Sequence, residues 1–247
     1  MPGPLAIALG MTCIFGAAVV RGYAGFGFSL LSVTALSLFL EPRAIIPSIF
    51  ILEVAASVHL LIHAWRDVHW QSLRRLAAGC LIGTPAGVYV LARVPAAPLT
   101  LALSAIVLLA AFLLARGFVL REMPGRSATV ATGVASGLLN GSIGIGGPPV
   151  VMFFFGSPAG VATGRASMIA YFLFTDVVAL AWQWQESLLS RDVFARALLY
   201  APALGAGVWI GNRAFVDVNP ERFRRWVLRL LMVLAVLSGA RALWELA

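Results

Sequence analysis

Gly141-Ser142-Ile143-Gly144-Ile145-Gly146-Gly147-Pro148-Pro149 interrupts an uncharged run that extends from Ser127 to Gly164. An apolar run of that length belongs in a bilayer, yet its middle resists regular helix. Glycine is costly inside a helix, and proline lacks the N–H and clashes with the preceding turn. The stretch therefore reads as a broken membrane helix. Within a bilayer, non-helical backbone persists only where protein or a water-filled cavity satisfies its polar groups. Such a break is the sign of a solute site.

The break occurs twice. Near the N-terminus the chain reads Gly22-Tyr23-Ala24-Gly25-Phe26-Gly27-Phe28, and Gly22, Gly25 and Gly27 fall on Gly141, Gly144 and Gly146. Further on, Gly87-Val88-Tyr89-Val90 matches Gly207-Val208-Trp209-Ile210, with Arg93 opposite Arg213. The offset changes by one residue between the two matches, which points to an internal duplication. The units are 1–120 and 121–247, together one integral membrane domain.

Composition agrees with the bilayer. Of 247 residues, 61% are hydrophobic and only 11% charged, against about 25% charged in soluble domains. All 18 basic residues are arginine, giving a net charge of +8. They sit in short connectors between apolar runs, where the positive-inside rule accounts for them; no basic face for nucleic acid is present. Cys13 and Cys80 lie in apolar stretches, which argues against a disulfide framework or a metal cluster. No cofactor motif appears. The glycine order is G-x-x-G-x-G rather than that of a dinucleotide fingerprint, and no Walker loop or Ser/His/Asp set is visible. The first twenty residues lack a positive n-region and read as membrane structure rather than a leader.

Each half reads as a Gly-broken helix pair followed by three transmembrane helices. In the first half the arms are 4–20 and 28–40, and the spans 44–65, 76–92 and 96–115. In the second the arms are 127–140 and 148–156, and the spans 166–185, 197–212 and 226–244. The arms are short for a span of about 20 residues, so each pair is either re-entrant or two tilted spans. Either way each half crosses an odd number of times, which inverts the second half relative to the first. With the 66–75 loop cytoplasmic, the connectors on that side hold eleven arginines and those opposite hold four. That is the asymmetry the positive-inside rule requires, and it places both termini outside. The expected fold is an all-α integral membrane protein of two inverted-topology repeats, multi-pass in a bacterial cytoplasmic membrane. Glycines spaced four apart from Gly79 to Gly87, and the 207–211 face, are expected to pack helices closely, within the protomer or across a homodimer.

Two broken helices meeting at the midplane aim half-helix N-termini into one cavity, which favours an anion. The expected lining is Arg21, Tyr23, Gly25, Phe26, Gly27 and Ser29 from the first break. The second contributes Asn140, Ser142, Gly144, Gly146 and Gly147. Arg21 stands at membrane depth, where an ionisable residue is functional by default or else snorkels to the nearer surface. Glu53 and Asp176 are acids within spans and candidates to carry a coupling proton, or else structural partners of an arginine. The repeat register puts Asp176 opposite Ser57, one turn from Glu53. His59 is a further proton-transfer candidate; with His63 at i, i+4 it lacks the additional ligands that zinc needs.

The chain resembles the sulfite exporter TauE/SafE family of small bacterial membrane permeases over nearly its whole length. The more specific part runs from Gly137 to Pro149 and is similar to the family's second-repeat signature, a glycine triplet followed shortly by Val-Pro. Pro148 stands in place of the third glycine, and Phe26 and Phe28 interrupt the triplet in the first repeat. The resemblance implies transport of sulfite, organosulfonates or small carboxylates with proton coupling. From the residues alone the reading is a secondary transporter for a small anion, working by alternating access. The rivals are an anion channel, an intramembrane enzyme and a non-transporting membrane subunit.

Overall fold

The computed structural model describes residues 4–38, 40–116, 123–155 and 160–214, with isolated positions between 232 and 244. These residues are helical, with no strand among them. The helices are α1 (Pro4–Ala24), α2 (Phe28–Leu36), α3 (Pro42–Ala64), α4 (Trp70–Arg93) and α5 (Ala96–Ala115) in the first half. In the second they are α6 (Arg126–Ile143), α7 (Gly147–Phe155), α8 (Val161–Gln185) and α9 (Arg191–Ala214). The 226–244 span lies outside the described residues. Five helices are long and apolar enough to cross a membrane, within α1, α3, α4, α8 and α9.

The helices outrun the apolar windows read from the sequence. α4 starts at Trp70 and takes in Arg74 and Arg75, and α8 starts at Val161 and takes in Arg165. Arginine is a good helix former, and a span continues into the headgroup layer, where charge is tolerated. At the breaks, by contrast, the chain does leave the helix. Gly25 (φ 76°) and Gly144 (φ 73°) take up left-handed backbone that L side chains rarely adopt. They occupy matching positions in the register of the glycine pattern, and each meets a side chain from the opposite half, Arg165 at Gly25 and Ile46 at Gly144. Those two partners are related by the same offset.

Packing between the halves is close along two seams. α4 lies on α6, and α1 on α9. Gly79, Gly83 and Gly87 meet the backbone of Val130, Val134 and Leu138, while Gly22 and Gly211 bring α1 and α9 into similar contact. The small-residue faces thus pack within the protomer. Gly22 and Gly141, which the sequence aligns with the breaks, are helical and belong to these seams.

Contacts along the seams also fix helix direction. Gly10 meets Tyr200 and Gly22 meets Gly211, so α1 and α9 run parallel; Gly79 meets Val130 and Gly87 meets Gly141, so α4 and α6 do too. One face of the molecule carries the start of α3 and the end of α4. There Arg43 donates to the carbonyls of Leu91 (2.8 Å) and Val94 (2.6 Å). It also carries the start of α9, where Ser48 donates to Val193 C=O. The opposite face carries the start of α4 and α8, joined by His69 N–H to Ser167 Oγ at 2.9 Å. The ends of α1 and α9 lie there too, since Arg165 donates to the carbonyls of Gly22 and Tyr23 and to Asn212 Oδ1. The short helix α2 therefore carries the chain back from the end of α1 to the start of α3. At nine residues it is about 13 Å long, too short to cross a bilayer. α7 is the same length and returns the chain from α6 to α8.

Candidate functional site

Both breaks open onto one cavity. Phe26, Gly27 and Ser29 line it from the first, and Ile145, Gly146, Gly147 and Pro148 from the second. Glu53 of α3, Asn140 of α6 and Phe172 of α8 complete the polar and aromatic wall. Its volume is about 20 Å³, roughly the room one water needs. The N-termini of α2 and α7 both begin at this cavity, at Phe28 and Gly147. The first N–H groups of a helix have no intrahelical acceptor and carry the positive end of its dipole; in α7 Gly147 alone of the first three residues has such an N–H, because Pro148 and Pro149 lack it.

Arg21 lies behind Glu53 and is fully buried. Its guanidinium pairs with Glu53 Oε1 at 3.2 Å and donates to Gly25 C=O and to Ser57 Oγ, each at 2.6 Å. The Phe172 ring stands 5.2 Å from its Cζ. Snorkelling is thereby excluded: the side chain turns inward and holds the break by its carbonyl. Ser29 Oγ donates to the other oxygen of Glu53. One Arg21 donor, Nε, has no partner among the described residues.

The second half builds a weaker copy. Asn140, which falls on Arg21 in the register of the glycine pattern, donates to Asp176 Oδ1 at 2.9 Å and accepts from Gly146 N–H at 3.2 Å. Arg21–Ser57 and Asn140–Asp176 both join residues 36 apart, so the register read from the sequence carries over to the contacts. Ser136 Oγ supports the break from below, donating to Gly146 C=O at 2.6 Å. Asp176 is fully buried, and its Oδ2 has no partner among the described residues. The buried set thus holds one cation and two acids. An Asn140→Leu change strands both Gly146 N–H and Asp176 Oδ1, at about 1–3 kcal/mol for each buried group. The expected outcome is a clearly lowered melting temperature in detergent, followed by tryptophan fluorescence.

Of the residues singled out by sequence, Phe26, Gly27, Ser29, Glu53, Asn140, Gly146 and Gly147 line the cavity. Arg21, Gly25 and Asp176 support it through the bonds above. Tyr23 and Gly144 pack outside it, Tyr23 giving its carbonyl to Arg165. Ser142 turns back on its own helix, donating to Leu138 C=O at 2.7 Å. His59 is exposed on the outer side of α3, edge-on to His63 and apart from the site. Phe172 and Arg165 were not singled out, and Ser57 was named only as the register position of Asp176. Phe172 and Ser57 occupy the register positions of Glu53 and Asp176, which is the signal that could have found them.

The family model for the sulfite exporter TauE/SafE matches residues 10–238. The chain belongs to the sulfite exporter TauE/SafE family. It is 27% identical over 236 residues, 91% of this chain and 90% of the relative, to a protein of Cupriavidus necator named probable sulfite/organosulfonate exporter TauE. No solved structure matches it. Members of the TauE/SafE family are transporters rather than enzymes, and this chain is a multi-pass membrane protein.

Proposed function

We propose that the protein moves a small sulfur-containing anion, sulfite or an organosulfonate, through the cavity between the two glycine breaks. The observation that carries this is the meeting of both breaks, one from each half, beside the buried Arg21–Glu53 pair. The first N–H groups of α2 and the N–H of Gly147 offer neutral donors to an anion, Pro148 and Pro149 having none, and Arg21 offers charge. The name of the Cupriavidus relative supports sulfite and organosulfonates as the class.

The mechanism is alternating access with proton coupling. Glu53 stands between Arg21 and the cavity, so an incoming anion competes with it for the guanidinium. Removing a carboxylate from its partner inside a bilayer is costly unless it takes up a proton. Binding of an anion is therefore linked to protonation of Glu53, while Asp176, with one oxygen unpartnered, is the second proton candidate. The small cavity corresponds to a closed state of the cycle. The two parts of the chain, 1–120 and 121–247, form inverted-topology repeats. Supporting this, α1, α3 and α9 run one way while their counterparts α6, α8 and α4 run the other. With the arginine-rich connectors in the cytoplasm, the protein lies in the bacterial inner membrane with both termini outside. A homodimer does not require the glycine faces, which are used internally.

The test is charge movement by purified protein in proteoliposomes, challenged with sulfite, taurine, sulfoacetate, acetate and sulfate, with and without a pH gradient. Isotope uptake runs in parallel to catch electroneutral exchange. A saturable response to a sulfur anion is expected. In Glu53→Gln, uptake should no longer respond to the pH gradient. Silence in both assays across the panel removes the anion-transporter reading, and an undiminished gradient response in Glu53→Gln removes the coupling role.

A further inference from the structure

On the face where α3 and α9 begin, one exposed ion pair crosses between the halves. Arg93, the last residue of α4, meets Glu186, just past the end of α8, at 3.0 Å. Its guanidinium also stacks 3.7 Å from the Tyr89 ring. The repeat supplies a second set on the opposite face. Arg213 near the end of α9 is the counterpart of Arg93, and it stacks 3.9 Å from Trp209, the counterpart of Tyr89. Asp67, just past the end of α3, is the counterpart of Glu186 in the register of the breaks. Asp67 and Arg213 are both exposed, and among the described residues they make no ion pair with each other or with anything else. Two arginines with the same aromatic seat thus differ in one respect: among the described residues only Arg93 has its acid.

An inverted repeat gives this difference a meaning. When the two arrangements of such a protein interconvert, each half adopts the conformation the other has left, so a contact between halves on one face has a counterpart on the other. We propose that Asp67–Arg213 is the second of two alternating clasps, formed in the conformation in which Arg93–Glu186 is broken. It rests on the alternating-access reading above and adds to it the residues that set the balance between the two states. They are positioning residues, since none touches the cavity.

Hydrogen–deuterium exchange on the full-length protein tests this without a substrate. Peptides spanning 91–98 and 184–190 report one face, and those spanning 64–70 and 210–214 the other. Glu186→Gln is expected to raise exchange at the first face and lower it at the second, by up to about fivefold in the two-state ratio, the limit for one exposed pair. Adding Asp67→Asn to Glu186→Gln is expected to bring both faces back towards the wild-type pattern, and turnover of the double variant should exceed that of Glu186→Gln. All three forms keep the fold, because exposed neutral substitutions change stability little. If Glu186→Gln shifts the faces in opposite senses and Asp67→Asn does not reverse the shift, the second clasp is overturned while alternating access stands. If Glu186→Gln does not move the two faces in opposite senses, the alternating movement itself falls, and the clasp with it.

Discussion

Arg21→Ala is expected to abolish the saturable anion response. The change removes the buried cation behind Glu53 and the donor that holds the Gly25 carbonyl. A hydrogen bond from a charged group contributes about 1.5–3 kcal/mol, which corresponds to roughly 10- to 150-fold weaker anion binding. It also leaves Glu53 buried without its counter-ion, at about 3–5 kcal/mol, so the single variant is expected to be poorly folded as well. Arg21→Ala combined with Glu53→Ala separates the two effects. Without an orphaned carboxylate the double variant should recover most of its melting temperature, yet remain silent to sulfite. Arg21→Lys keeps the charge but loses the planar fork that reaches Gly25, Ser57 and Glu53 together, and should respond with markedly raised half-saturation. A double variant that transports at the wild-type rate would reduce Arg21 to a structural tie for the break.

Much of this site was legible because the chain states it twice. The glycine repeat located the breaks, and its register set Asp176 opposite Ser57; the same register sets Asn140 opposite Arg21, a correspondence that emerged only with the contacts. The roles of the individual glycines were not legible. Gly25 and Gly144 provide left-handed backbone, whereas Gly22 and Gly141 sit in helices and let a neighbouring backbone approach. A sequence shows the same residue for both purposes. His59 was misleading for a related reason. Its spacing from His63 defines a face of α3, but which face points inward is set by Glu53, Ser57 and Leu60, which are buried. Arg165 was read as a connector residue because it follows a loop. Only the folded chain brings its guanidinium to the carbonyl end of α1, where the last residues of a helix leave acceptors free. The direction of the short helices was open as well, since nine apolar residues suit either a return or a partial crossing.

Gly83→Leu is expected to prevent the folded protein from accumulating, whereas Gly16→Leu is expected to be tolerated. Both glycines lie inside long helices, so helix propensity favours replacement in each case by somewhat under about 1 kcal/mol. What differs is the far side of the Cα. A Cβ at Gly83 would overlap the Val134 carbonyl and approach the Leu138 nitrogen, whereas one at Gly16 meets nothing within 4 Å. Backbone cannot turn aside as a side-chain tip can, so α4 and α6 would have to separate along their whole seam, losing the packing that joins helices in a membrane. Size-exclusion chromatography of detergent-solubilised protein reads the difference directly, as a monodisperse peak for Gly16→Leu and aggregate or no peak for Gly83→Leu. Gly207, which would meet Phe15 and Ala18 on the α1–α9 seam, should behave like Gly83. This pair of seams bears on the transport cycle as well as on folding. They bind α4 to α6 and α1 to α9 across the two halves, so under the proposed alternating access the bodies expected to move against each other are these cross-half pairs rather than the sequence halves. On that proposal each broken hairpin travels with its seam partner, and the cavity is expected to open where the starts of α2 and α7 part. A Gly83→Leu protein that folded and still transported would show that the α4–α6 seam yields during the cycle, and the moving bodies would have to be drawn elsewhere.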